Sequence, residues 1–135
     1  LAVLGKLMPC SAADDAHFYN GDQTCSFIML RAESLTRENV LEALQNGDFY
    51  ATQGPLFSWN ISEGSLTVRC SPVEEVVFFS DTVYAADRVT RGHGCVEAKY
   101  RLKPNDHFVR FELRDNENRM AWSSPIKVSV NAGQG

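Results

Sequence analysis

Residues 11–19, Ser11-Ala12-Ala13-Asp14-Asp15-Ala16-His17-Phe18-Tyr19, bring two carboxylates and an imidazole within four positions, which happens nowhere else in the sequence. Asp15 and His17 are one residue apart. In an extended segment or at a strand end both would project from the same side, where an oxygen and a nitrogen can reach one divalent cation. Two donors do not complete a catalytic metal site, which takes at least three protein ligands and keeps a position open for water. The competing reading is a turn in which an aspartate caps a backbone amide while the histidine packs nearby, and on spacing alone that turn is the commoner outcome. Cys10 is close in sequence, but no histidine with a third, orienting group accompanies it, so it reads as a buried thiol rather than a nucleophile.

The remaining composition narrows the chemistry. At 135 residues the chain has the size of one ordinary domain. Its 17 acidic against 13 basic side chains leave a net charge of −4, with no basic patch of the kind that phosphate backbones require. Neither a nucleic-acid polymer nor a membrane is therefore expected as a partner. No apolar run approaches the ~20 residues of a membrane-spanning helix. Leu1 to Met8 has neither the basic leader nor the cleavage pattern of a signal peptide, and the first residue, which is not methionine, suggests a fragment. Cys10, Cys25, Cys70 and Cys95 show no CxxC spacing, which argues against a zinc knuckle. They read as reduced thiols of a cytoplasmic protein, a setting in which the acceptor pattern Asn60-Ile61-Ser62 has no role.

The elements that must position the motif follow from periodicity. Leu1–Leu4 before Gly5 reads as a helix end, and Lys6 to Ala12 as a short strand that delivers Asp14, Asp15 and His17 to its carboxyl end. Asn20 to Gln23 is a turn, and Ser26 to Ala32 a buried strand. A helix is predicted over 36–46, with Thr36 as N-cap, Leu35 stapled onto Val40, and Gly47 just past the end. Its apolar positions Val40, Leu41, Ala43 and Leu44 form one face, which predicts packing on that side. From Phe49 the period changes to two. Phe57, Trp59 and Ile61 alternate with polar residues, and Glu63-Gly64 turns the chain into Leu66, Val68 and Cys70, a hairpin. Further strands are predicted at 76–79, 84–89, 95–102, 109–114, 120–122 and 126–130. Arg91 to Gly94, including His93, reads as a surface loop, and His107 as exposed. Tyr50, Phe57, Trp59, Phe78, Phe79 and Trp122 could stack sugars, but aromatics at alternating strand positions read first as core. Many short strands joined by turns predict a mainly β chain, an antiparallel, Ig-like β-sandwich over 48–131. A short α/β piece over 1–47 precedes it, and 132–135 form a frayed tail.

Three stretches together resemble the C-terminal part of the polymerase and histidinol phosphatase (PHP) superfamily of metal-dependent phosphoesterases. Ala13-Asp14-Asp15-Ala16-His17 is similar to that family's late Asp-x-His metal motif. The passage from Leu41 through Asn46-Gly47-Asp48-Phe49-Tyr50 to Gln53-Gly54-Pro55 resembles the junction at which such catalytic domains hand over to an appended β-domain. Phe108 to Glu112, with Ala121-Trp122-Ser123-Ser124-Pro125-Ile126, resembles the closing strands of that domain.

The resemblance implies that 1–47 are the last piece of a distorted β/α barrel. Asp15 and His17 would be metal ligands, and Asp14 a carboxylate beside them that does not itself bind metal. The divalent cation (Mn, Zn, Fe or Mg) would serve hydrolysis of a small phosphorylated substrate or nucleotide phosphoester. The family's early His-x-His pair and its intervening ligands have no counterpart here, and His93 and His107 match none of them. The resemblance therefore implies a partner in the N-terminal catalytic domain of the same polypeptide. It also implies that this chain alone binds metal weakly, carries no catalytic residue of its own and is inactive. The alternative from another class is a non-catalytic β-sandwich module that binds a ligand or protein.

Overall fold

A computed structural model describes residues 5–17, 21 and 23–128. Alternation of apolar and polar side chains does most of the folding work. Along β6 (Phe108–Arg114), Val109, Phe111 and Leu113 are fully buried while Phe108, Arg110, Glu112 and Arg114 lie at the surface, which leaves one dry and one wet face. The chain order is β1 (Phe27–Leu30), α1 (Arg37–Asn46), β2 (Phe49–Thr52), β3 (Phe57–Ser62), β4 (Ser65–Ser80), a 3-10 turn (Ala86–Arg88), β5 (Val89–Arg101), β6, β7 (Met120–Trp122) and β8 (Ile126–Lys127). All strand pairings are antiparallel, in the order β1-β2-β7-β6-β4-β3, with β5 on the other side of β4 and β8 on β6. The chain is mainly β with one α-helix among the described residues, and its sheet curls into half a barrel.

The curl originates in β4. Where two strands joined by a loop were expected, one 16-residue strand runs through Ser71-Pro72. Its first half pairs with β3 and its second half with β6, while β5 follows along the opposite edge. The register against β5 shifts between Arg69 and Val73, where β4 spans more positions than β5, and again between Val73 and Glu75, where β5 spans more than β4; irregularities of this kind bend strands and increase their twist. Pro72 falls within this irregularity, where a missing ladder donor is tolerated. The eight strands thus form one curled sheet where two stacked sheets were expected. Leu66, Val68, Val76 and Phe78 of β4, Ala98 and Tyr100 of β5, and the inner residues of β6 fill its concave side.

Several local expectations are corrected. Lys6–Ala12 form no strand, because Cys10 N–H donates to the Ser124 hydroxyl (3.1 Å) instead of entering a ladder. Residues 84–89 are not a strand but contain the 3-10 turn, and Arg91–Gly94 lie inside β5 rather than in a loop. β1 is not buried: it is an edge strand with Phe27 and Met29 over a third exposed. β1 pairs with β2 across positions 47/48, and Arg31 N–H donates to Asp48 O (2.8 Å). The readings for Leu1–Leu4, Asn20, Asp22 and the tail fall outside the described residues. No helix among those described is long and apolar enough to cross a membrane.

The helix ends where its caps dictate. Thr36 Oγ1 accepts from Asn39 N–H (3.3 Å), and Gly47 (φ 73°) closes the last turn by donating to the Ala43 and Leu44 carbonyls. The Leu35 staple does not form, for Leu35 is 97% exposed, and Ala43 alone is buried on the helix. At Gly47, positive φ coincides with close approach, since an added Cβ would lie 2.5 Å from Pro9 Cγ. Gly47→Ala is therefore expected to lower the unfolding free energy by about 1–2 kcal/mol. Urea denaturation measures this, and an unchanged midpoint would contradict it.

Candidate functional site

The Asp15–His17 segment is delivered by a chain held at three points. Pro9 sits against Gly47, and Cys10 N–H is bound by Ser124, whose hydroxyl donates in turn to Phe49 O (3.0 Å). Asp14 Oδ1 accepts from Ser26 N–H, which ties the segment to the residue before β1. Asp14 Oδ1 is thus committed to a backbone amide. Asp15 adopts a left-handed backbone (φ 54°), which aspartate tolerates better than most residues. The segment turns there, between Asp14 and His17. Both side chains are exposed, and neither has a polar partner among the described residues.

What the arrangement can do chemically is limited by its donor count. Among the described residues, no group of three or more His, Cys, Asp or Glu side chains converges to hold a metal ion. Asp15 and His17 offer one oxygen-bearing and one nitrogen-bearing side chain, a partial set for Mn or Zn. The other histidines are engaged elsewhere: His93 Nδ1 lies 2.9 Å from Glu74, and His107 Nδ1 2.6 Å from Asp81. Cys10 is half-buried, and desolvation raises its pKa, against reactivity. Burial pushes the Cys70 thiol up to about 11, with the Cys95 thiol adding to the rise, so it too is a poor nucleophile at neutral pH. All four cysteines are unpaired thiols.

Two constellations escape sequence reasoning. The first is a buried polar knot. Asp106, 2% exposed, accepts from Thr82 Oγ1 (2.7 Å), Tyr100 Oη (3.0 Å) and Lys103 N–H (2.8 Å). Arg88, also 2% exposed, donates through Nη2 to Thr82 Oγ1 (2.6 Å) and to the Thr82 and Val83 carbonyls, and it lies over the Tyr100 ring. Pro104, Asn105 and Asp106 are turn-forming residue types, but nothing in their order conveys that Asp106 is buried. The second is an open groove with Met29, Tyr50, Phe57, Trp59, Ile61 and Pro125 among its lining, between β1, β2, β3 and the approach to β8. Tyr50 stacks on Phe57 at 3.9 Å, and its hydroxyl accepts from Phe57 N–H (3.3 Å). Trp59 is 45% exposed there, so the expectation of a core residue fails for it. Phe79 turns to the outer face, under the Arg110 guanidinium.

Set against known protein families, curated proteins and solved structures, the chain matches none. What fold and site define is therefore a class of architecture, a curled antiparallel half-barrel with one helix and an exposed Asp-x-His segment beside it.

Proposed function

We propose that this chain is the C-terminal part of a PHP-type metal-dependent phosphoesterase, in which Asp15 and His17 are two ligands of a divalent cation. On this reading 1–47 are the last portion of the catalytic barrel, 48–131 are the appended β-domain, and the other ligands come from polypeptide outside this chain. The observation that supports it most is the division of labour in the motif. Asp14 is occupied by the Ser26 amide, whereas Asp15 and His17 are exposed and make no polar contact among the described residues. A cation bound there would neutralise phosphoryl oxygens and lower the pKa of a coordinated water. Asp14 would hold the loop in shape, and Ser124 would anchor its upstream arm through Cys10. The substrate class is a small phosphorylated molecule or nucleotide phosphoester.

In the intact polypeptide, Asp15→Ala and His17→Ala are each expected to cut metal affinity and phosphatase turnover by about 100-fold or more, since even the partners that orient metal ligands are worth 10–100-fold. Metal analysis after gel filtration and a phosphoester assay measure both. Unchanged metal content together with unchanged turnover would sink the assignment. With two donors, the chain by itself is expected to take Mn or Zn no tighter than about millimolar in calorimetry.

A further inference from the structure

The apolar face of the half-barrel does not stop where the sheet stops. Among the described residues, β3 is the last strand in the sheet order and pairs with β4 alone. Its residues Trp59 and Ile61 stand opposite Val68 and Leu66, both fully buried, so they continue the core face, yet they are 45% and 40% exposed because no strand among the described residues lies beyond. The hairpin turn fixes which backbone groups face outward. Glu63 and Gly64 both have positive φ, as a two-residue turn of mirror-image type requires, which makes Ser62 and Ser65 a hydrogen-bonded pair. Asn60 and Ser58 then also bond to β4, and the amides and carbonyls of residues 57, 59 and 61 point away from it. Phe57 N–H is taken by the Tyr50 hydroxyl, in keeping with that phase. Among the described residues, the outward groups of Trp59 and Ile61 have no partner.

Exposed edges are normally blunted by charge, proline or a bulge. β5, which among the described residues pairs only with β4, carries Arg91, His93, Glu97, Lys99 and Arg101. β3, Phe57-Ser58-Trp59-Asn60-Ile61-Ser62, has no charged residue, no proline and an unbroken register. Pairing with a differently charged strand would gain it nothing, whereas pairing with itself brings no like charges together. The sequence is also self-complementary about Asn60. In an antiparallel pair centred there, Trp59 meets Ile61 of the other copy twice, through the outward-facing backbone groups, and Ser58 meets Ser62. Asn60 faces Asn60 at the close, non-hydrogen-bonded position. This register leaves the Tyr50–Phe57 bond intact.

We propose that β3 is a homodimerisation strand, and that two copies of this chain join edge to edge about a two-fold axis at Asn60 to form one continuous sheet. The contact is smaller than a standard interface, which makes the dimer a weak one, with a Kd on the order of 10 µM. Sedimentation equilibrium of the wild-type chain tests it directly. Asn60→Asp and Asn60→Lys each put two like charges face to face at the axis, and each is expected to weaken association at least tenfold while far-UV circular dichroism stays native. An equimolar mixture of the two variants is expected to restore the dimer, which a misfolded or merely destabilised variant cannot do. A wild-type chain that remains monomeric at about ten times that Kd would overturn the proposal, and would leave the edge to a different polypeptide. Dimerisation that is indifferent to charge at position 60, or a mixture that fails to associate, would overturn it equally.

Discussion

Phe111→Ala is expected to lower the unfolding free energy by about 3–5 kcal/mol, a large share of the 5–15 kcal/mol typical of a whole domain. Phe111 is fully buried in the middle of β6 and sits at the junction of an aromatic chain that crosses the core. It meets Phe57 edge-on at 4.8 Å and Phe78 at 6.0 Å; Phe78 stacks on Tyr100 at 5.5 Å, and Phe57 on Tyr50 at 3.9 Å. Truncation leaves a ring-sized void that β-ladders on both sides of β6 prevent from closing, and the loss grows with the volume left empty. Its backbone adds a control, because Phe111 N–H donates to Ser123 Oγ and Phe111 O accepts from Ser123 N–H, bonds that alanine retains. Phe111→Leu, which keeps most of the volume, is expected to cost less than half as much. Urea unfolding followed by circular dichroism measures both, and equal losses for the two variants would show that packing at this site does not set stability.

Such a core was legible because period two is a strong signal. Val109, Phe111 and Leu113, and likewise Leu66 and Val68, alternate cleanly and are buried as the pattern requires. The helix was equally legible, because Thr36 and Gly47 mark its ends with specific hydrogen-bonding chemistry. The shape of the sheet was not. Whether strands curl as one sheet or stack as two depends on how β4 passes Ser71-Pro72, and a bulge there reads in sequence as a loop. Trp59 misled for a related reason: its pattern correctly gave the face it lies on, but that no strand among the described residues lies beyond β3 is a property of topology that alternation does not carry.

The candidate site was legible only as residue types. Asp-x-His spacing presupposes extended backbone, and the left-handed turn at Asp15 is set by contacts distant in sequence, at Ser26, Gly47 and Ser124. The Asp106 knot was hidden in the same way. Aspartate in a Pro-Asn-Asp turn is ordinarily wet, whereas this one is buried and bound by the Thr82 hydroxyl, which Arg88, from the 84–89 segment read as a strand, holds in turn.

That knot carries the second large effect. Asp106→Ala is expected to cost about 3–5 kcal/mol, because it strands the Tyr100 and Thr82 hydroxyls and the Lys103 amide in the interior. Asp106→Asn keeps an acceptor and the shape but removes the charge, and separates that effect from packing. Burial by itself raises the Asp106 pKa, but hydrogen bonds from Thr82, the Lys103 amide, Ser80 and Tyr100 outweigh it and hold the carboxyl below its ordinary value. A carboxylate whose folded pKa is depressed contributes stability above its unfolded pKa of about 3.9 and loses that contribution as pH falls through the lower, folded value. Asp115 behaves in the same sense, its burial outweighed by the Arg119 amide and guanidinium and the Glu117 amide. Wild-type stability should therefore hold from neutral pH down to about 4 and fall below it. Asp106→Asn should begin lower and fall less steeply through that acid window, since one of the titrating groups is gone. Urea midpoints between pH 7 and about 3 measure the slopes, and parallel curves for the two proteins would show that Asp106 does not couple protonation to the fold.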